Sequence, residues 1–480
     1  MSEGSAILAR PVRPGVLAHH GGQLMLMAAA GMAVPAVAAV LLGDRDFALI
    51  QSAATLALAA SGGLLHRVPA QPGMQRNEAL VLVALAFVLM ATLSSLALHH
   101  AGMPGIDALF EAVSGITTTG LSTLSDPGAQ SRAVQFARSW LQWYGGLGVI
   151  VFAIALAGGQ GIAGKRLYAP VESQPIEHST RAFARRMLLA YVTLSAAGWM
   201  VLTLQGSDPF TALLHIMSAV STGGFSPFAN NLQDLPDWTG RYLVIVFCLA
   251  GALPLAVVIE SGLRASGRDV EIKALLSLCV VIALLLAWRI ATQLQLPWRE
   301  ALLEGGLLSV SAQSTTGFSV LAPARLDDMS KLLLCIAMLT GGCVGSTAGG
   351  IKLLRLLILG RVVQTWFMRT ALPERAVVPQ RIGGMPLTDD DVRQALILIS
   401  LFTVALLGSW LAFLACGYPA MDSLFEVSSA LATTGLSTGI TAAQLPAGLK
   451  LLLCLDMLLG RVELFALLVL LYPRTWHQRR

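Results

Sequence analysis

Four short runs built on one pattern recur along this 480-residue chain: SGITTTGLS (Ser114–Ser122), SAVSTGGFS (Ser218–Ser226), SAQSTTGFS (Ser311–Ser319) and SALATTGLS (Ser429–Ser437). Each has Ser, Thr four residues later, Gly two after that, then Leu or Phe and a closing Ser. Gly120, Gly224, Gly317 and Gly435 are separated by 104, 93 and 118 residues, too far for a solenoid and suited to one membrane-scale unit used four times. Each run is polar but lies between long apolar stretches. Lipid cannot satisfy its backbone amides, at a cost of several kcal/mol each, so the run must be buried in protein or line water. Four such runs in one polypeptide predict a ring. A ring of extended backbones presenting carbonyl oxygens replaces the hydration shell of a monovalent cation, and glycine supplies the positive φ that turns successive carbonyls to one side.

The chain is 55% hydrophobic and 12% charged, with a mean hydropathy of +0.70, against about 25% charged for an average globular domain. This is the composition of a polytopic membrane protein, and with its apolar runs read as helical spans the expected fold is all-α. Apolar runs of about 20 residues place ten spans, at 24–42, 47–65, 79–99, 137–157, 187–205, 242–262, 271–293, 332–368 (interrupted), 394–416 and 450–471. With both termini cytoplasmic, most of the 32 Lys and Arg fall in cytoplasmic segments, which is the positive-inside bias. The densest are Lys165, Arg166, Arg181, Arg185 and Arg186, then Arg355, Arg361, Arg369, Arg375 and Arg381. They read as topology determinants first and as a docking surface for a cytosolic partner second. They form no continuous stripe of the kind nucleic acid needs. The first apolar run, after Arg10 and Arg13, exceeds a signal-peptide core in length and is read as a retained span. Cys248, Cys279, Cys335, Cys343, Cys416 and Cys454 lie in or beside spans without metal-ligand spacing, as packing residues do.

Taken in order, residues 1–77 form a two-helix scaffold, followed by repeat one (78–165), repeat two (166–268), repeat three (269–370) and repeat four (371–480). Ahead of the first signature run, Asp107–Val113 lies in a segment too short to cross the bilayer. In repeat one it is a half-helix of ten to twelve residues ending at Gly115, whose negative C-terminal end favours a cation. Asp107 and Glu111, with Asp422 and Glu426 at the same offsets, are expected on its wetter outer part, concentrating cations; Asp107 reads equally as a helix cap. His215 takes the offset of Glu111 and reads more readily as a backbone-bonded helix residue than as a pH sensor. Gly145, Gly146 and Gly148 make a small-residue packing face. Gly159, Gly161 and Gly164 spell G-x-G-x-x-G, and Gly159–Lys165 approaches a phosphate-binding loop, but neither follows a strand. Pro254 is expected to kink its helix.

Repeat three breaks into TGGCVGSTAGGIK (Thr340–Lys352), five glycines in thirteen residues, each about 1 kcal/mol poorer than alanine as a helix former. The helix should unravel there, and an unwound intramembrane segment is tolerated only against a cavity. In the last span Asp456, Arg461 and Glu463 are ionisable groups at membrane depth that should pair. Arg461 either bonds Glu463 locally or donates to carbonyls of the unwound loop 341–350.

These runs, the GGCVGSTAGGIK stretch and the GRVE sequence resemble the Trk/Ktr/HKT superfamily of potassium transporters, over essentially the whole chain. The resemblance implies four pseudo-symmetric M1-P-M2 repeats around a potassium-channel-like pore, with two extra N-terminal transmembrane helices, in a multi-pass protein of the bacterial cytoplasmic (inner) membrane. It implies K+ as the transported ion, no organic cofactor in this chain, and a filter of main-chain oxygens around Thr118, Thr119, Gly120, Thr222, Gly223, Gly224, Thr315, Thr316, Gly317, Thr433, Thr434 and Gly435. It further implies a gate formed by Gly341, Gly342, Gly345, Ser346, Thr347, Gly349, Gly350 and Lys352, faced by Arg461. In plant members a serine at the first-loop glycine accompanies sodium transport, so glycine in all four loops implies potassium, with rubidium tolerated. Each loop is shorter than a potassium-channel filter, so only moderate discrimination against sodium is expected. A homodimer, a cytosolic TrkA-type nucleotide-binding regulatory subunit and a lipid surround are the implied partners. A proton- or sodium-coupled symporter using the same pore stays open. An enzyme does not fit: there is no HExxH and no GxSxG, and Ser346 lacks the nucleophile spacing.

Overall fold

The computed structural model describes residues 11–69, 73–157, 176–255, 268–373, 380–462 and 464–476. Two antiparallel helices, α1 (Pro14–Leu41) and α2 (Arg45–His66), come first, joined by a turn that Asp44 caps by accepting from the Phe47 amide. Four units follow, each a long helix, a short helix, a signature loop and a further helix. The first has α3 (Arg76–His100), α4 (Gly105–Ile116) and α5 (Arg132–Ala157). The second has α6 (Ile176–Leu204), α7 (Pro209–Val220) and α8 (Trp238–Ala252). The third has α9 (Arg268–Leu294), α10 (Trp298–Gln313) and, across a break, α11 (Asp328–Thr340) and α12 (Leu353–Thr370). The fourth has α13 (Asp389–Ala415), α14 (Ala420–Leu431), α15 (Ala447–Arg461) and α16 (Phe465–Leu471). Among the described residues, six helices are long and apolar enough to cross a membrane.

The helix breaks have local causes. Leu253, ahead of Pro254, takes an extended conformation that ends α8, and helical geometry is taken up again at Leu255, so the chain breaks at the proline where a kink was expected. Gly341 adopts φ 68° just past α11, and Lys352, at φ 75°, precedes α12. The last span, expected to run unbroken over 450–471, stops at Arg461 and resumes at Phe465, with Leu464 forced to φ 53°. Between α12 and α13 a small hairpin pairs β1 (Arg381–Ile382) with β2 (Met385–Pro386), its turn made by Gly383 and Gly384, both at positive φ.

The units close in cyclic order. The short helix of each packs on the post-loop helix of the unit before it: α7 on α5, α10 on α8, α14 on α11, and α4 on α15, which joins the last unit to the first. Two of these seams carry pseudo-equivalent ion pairs, Lys450–Asp107 at 2.5 Å and Lys331–Asp422 at 2.6 Å. The apolar core at the closing seam includes Phe110, Val113, Ile116, Leu141, Val427, Leu453 and Met457.

Candidate functional site

The signature loops begin as helix terminations. In each short helix the last turn closes through two bonds, from Thr118 N to Gly115 O and from Thr119 N to Ser114 O in the first. The same pair recurs as Thr222 to Ala219 and Gly223 to Ser218, Thr315 to Ala312 and Thr316 to Ser311, and Thr433 to Ala430 and Thr434 to Ser429. This is the Schellman arrangement, and the residue at its left-handed position is usually glycine. Here it is threonine every time, with Thr118, Thr222, Thr315 and Thr433 at φ 51–54°. A β-branched residue in that region stores about 1–2 kcal/mol of strain, held because the loop is overdetermined on both sides.

Two residues on, Gly120, Gly224, Gly317 and Gly435 also sit at positive φ, from 75° to 96°. A Cβ on Gly120 would overlap the Gly223 carbonyl oxygen, one on Gly224 that of Thr316, one on Gly317 that of Thr434, and one on Gly435 that of Thr119. Each glycine thus abuts the carbonyl preceding the glycine of the next loop, and the circuit returns to its start. The four loops meet in one ring of backbone. The threonines around it are buried, as are Gly223, Gly224 and Gly317, while Gly120 and Gly435 are half-buried.

What braces the ring differs from loop to loop. In the first, Thr117 and Thr119 hydroxyls bond at 2.8 Å, and in the third Ser314 and Thr316 do the same at 2.8 Å. In the second, Gln142 of α5 donates from Nε2 to Gly223 O at 2.6 Å and accepts from Phe225 N at 3.0 Å. In the fourth, Ser429 Oγ accepts from Gly435 N at 3.0 Å. Behind the ring, Gly145 and Gly460 lie against the last carbonyls of α4 and α14, those of Ile116 and Leu431, where a side chain would collide.

The short-helix carboxylates do not line a wet mouth. Glu111 is fully buried, paired with Arg138 at 3.0 Å, and accepts from Ser122 Oγ and Thr123 N. Glu426 is fully buried too, and accepts from Ser437 Oγ, Thr438 N and Thr441 Oγ1. Both tie the short helix to the chain leaving the ring. His215 fills the same place with neutral bonds, to Thr211 O at 2.9 Å and Ser226 Oγ at 3.2 Å. Asp107 is the third residue of α4, beyond the capping position held by Pro104, and with Asp422 it serves a seam pair.

The glycine-rich segment 341–352 lies directly against the ring. Gly349 N donates to Thr315 Oγ1 at 2.7 Å, and Thr347 Oγ1 bonds Val220 O at 3.1 Å and Gly251 O at 3.0 Å. Cys343 N and Thr347 N reach Ala252 O and Gly251 O of α8, and Gln313 Nε2 reaches Gly341 O at 2.7 Å. Lys352 turns back so that Nζ meets Ala348 O at 2.5 Å, and Ser346 Oγ closes a turn onto Cys343 O. Gly342 packs on Ala348, Gly350 has φ 76°, and Gly345 O accepts from Leu255 N. From the far side Arg461, 3% exposed, donates through Nη1 to Thr347 O at 2.6 Å and through Nη2 to Gly145 O at 3.2 Å. Glu463, Lys165, Arg166, Arg375 and Gly159–Lys165 lie outside the described residues.

The model of the TrkH family, described as a cation transport protein, matches residues 48–477. The chain belongs to the TrkH family. Among relatives, the Trk system potassium uptake protein TrkI of Halomonas elongata is 30% identical over 486 residues, covering 95% of both chains. The Trk system potassium uptake protein TrkH of Escherichia coli K12 is 27% identical over 478 residues, 95% of this chain and 98% of the relative. The crystal structure of the potassium transporter TrkH from Vibrio parahaemolyticus superposes with a TM-score of 0.84 at 24% identity, covering 97% of this chain and all of that one, which shows that the TrkH fold is shared.

In this TrkH-family chain the residues that sequence reading passed over are Gln142, Gln313 and Arg138. Each reaches a loop of its own or another unit from within an apolar helix. For Gln142 and Arg138 the available signal was a polar side chain inside the span 137–157, at a depth where it must find a partner, whereas Gln313 lies in the third signature run itself.

Proposed function

We propose that the chain carries potassium inward across a bacterial cytoplasmic membrane, with Thr118–Gly120, Thr222–Gly224, Thr315–Gly317 and Thr433–Gly435 as the selectivity filter. The observation that carries this reading is the closed circuit of glycine-to-carbonyl contacts among the four loops. Uncharged backbone oxygens substitute for water around a dehydrated cation without trapping it, as conduction requires. The short helices end at the ring, so the negative ends of their dipoles favour a cation there. Segment 341–352 acts as the gate beneath the filter. Arg461 holds it shut by bonding the Thr347 carbonyl.

We further take the scaffold as 1–77 and the repeats as 78–165, 166–268, 269–370 and 371–480. Both termini are cytoplasmic, the pore subunit is a homodimer, and the other component of the system is a TrkA-type nucleotide-binding subunit. Support for a multi-component system comes from relatives named as parts of a Trk system.

The test is ion flux in proteoliposomes holding the full chain. Gly120→Ser should lower the potassium-to-sodium permeability ratio by about tenfold, the effect of some 1.4 kcal/mol at one wall of a four-walled site; an unchanged ratio overturns the filter assignment. Repeating the assay under an imposed proton gradient separates a channel, whose flux follows the potassium gradient alone, from a coupled symporter.

A further inference from the structure

The second loop is the one in which glycine, Gly223, stands where the others have threonine. The reason lies on α5. Gln142 is fully buried, and its carboxamide occupies the space that a side chain at 223 would need: a Cβ there would meet Cδ, Oε1 and Nε2 of Gln142. In exchange the amide makes the two bonds already described, to Gly223 O and from Phe225 N, spanning the two residues on either side of Gly224. Arg138, one turn earlier on α5, stacks over the Phe225 ring at 4.1 Å, so the same helix face holds both the loop backbone and its first apolar side chain. In the first and third loops a hydroxyl pair within the loop does this work, Thr117 with Thr119 and Ser314 with Thr316. The second loop keeps the first member of that pair, Ser221, whose hydroxyl instead turns back to Ser218 O at 3.1 Å.

We propose that Gln142 is a specificity-determining positioning residue: with Gly223 it forms an exchangeable substitute for the Ser/Thr hydroxyl brace, and it sets the carbonyl geometry of the second wall of the filter. The inference rests on the filter reading and goes beyond it by assigning control of one wall to a side chain on another unit's helix. Both partners of the Gln142 amide are backbone groups of the loop, so its loss leaves Gly223 O and Phe225 N unsatisfied in a buried site, and the loop relaxes toward a different ring radius.

The exchange makes the idea testable in the full chain reconstituted in proteoliposomes. Gln142→Leu removes both bonds, and Gly223→Thr drives a side chain into the amide. Each should reduce the potassium-to-sodium permeability ratio by about tenfold, the equivalent of one net hydrogen bond. The double variant Gln142→Ala with Gly223→Thr rebuilds the hydroxyl pair with Ser221 and should return the ratio to within about threefold of the parent. Gln142→Met, similar in length and without both bonds, serves in place of Gln142→Leu if that variant does not elute as a single species. A ratio unchanged in Gln142→Leu or Gln142→Met, or a double variant no better than the product of the singles, overturns the proposal. Gly435→Ser, on the opposite wall, distinguishes the two failures. If it shifts the ratio while the Gln142 variants do not, the brace is wrong and the filter stands. If none shifts it, the filter itself is wrong.

Discussion

Glu111 and Glu426 occupy the same offset in two repeats and are held by different chemistry. Glu111 faces the Arg138 guanidinium, whereas Glu426 is surrounded by hydroxyls and an amide. Glu111→Gln therefore leaves a buried cation without its counter-charge and should cost about 3–5 kcal/mol. Glu426→Gln keeps most of its acceptor role and should cost about 1 kcal/mol. Thermal unfolding of the detergent-solubilised variants checks this ordering; equal losses would contradict it. These carboxylates also mark where sequence reading failed. Their shared offset was visible, but burial and partners depend on the loop folding back eleven to fifteen residues later, and exposure at a pore mouth was the wrong inference. The shared Thr of the signature was equally visible, but that it takes the left-handed position four times was not, because threonine disfavours that region in isolation.

At the scale of elements, post-loop helices break after α11 and after α15, and of these two only the first announced itself. Five glycines made the unwinding after α11 legible. The stop after Arg461 lacks such a composition. It arises from close approach, with Gly460 pressed on the Leu431 carbonyl and the chain turning through Leu464, whose amide returns to Leu459 O at 2.8 Å. The two breaks meet where Arg461 bonds Thr347. Arg461→Ala should raise steady-state potassium flux about tenfold by releasing segment 341–352. Thr347→Val, which loses the hydroxyl bonds to Val220 O and Gly251 O but leaves the carbonyl that Arg461 uses, should raise it less. Single-channel recording reads both, and an open probability unchanged in Arg461→Ala would discard the latch.

Across the whole molecule, the cyclic order of the units was legible from four aligned runs, whereas the contacts that close the cycle were not. Lys450 and Asp107 are 343 residues apart in the chain yet join its last unit to its first. The side chains of this pair are 3% and 8% exposed, against 9% and 29% for the equivalent Lys331–Asp422 pair. Lys450→Met strands a buried carboxylate and should lower stability by about 3 kcal/mol, and Lys331→Met by about 1 kcal/mol. Denaturant titration of the purified protein tests the difference, and the reverse order would show that solvent access does not govern these seams.

Because all four walls of the ring come from one polypeptide, a single codon alters one quadrant and leaves three untouched. In a channel assembled from four identical subunits the same change would be imposed on every side at once. A pathway cut from one chain can therefore be tuned in steps of a quarter, and Gly223 facing Gln142 is one such step already taken.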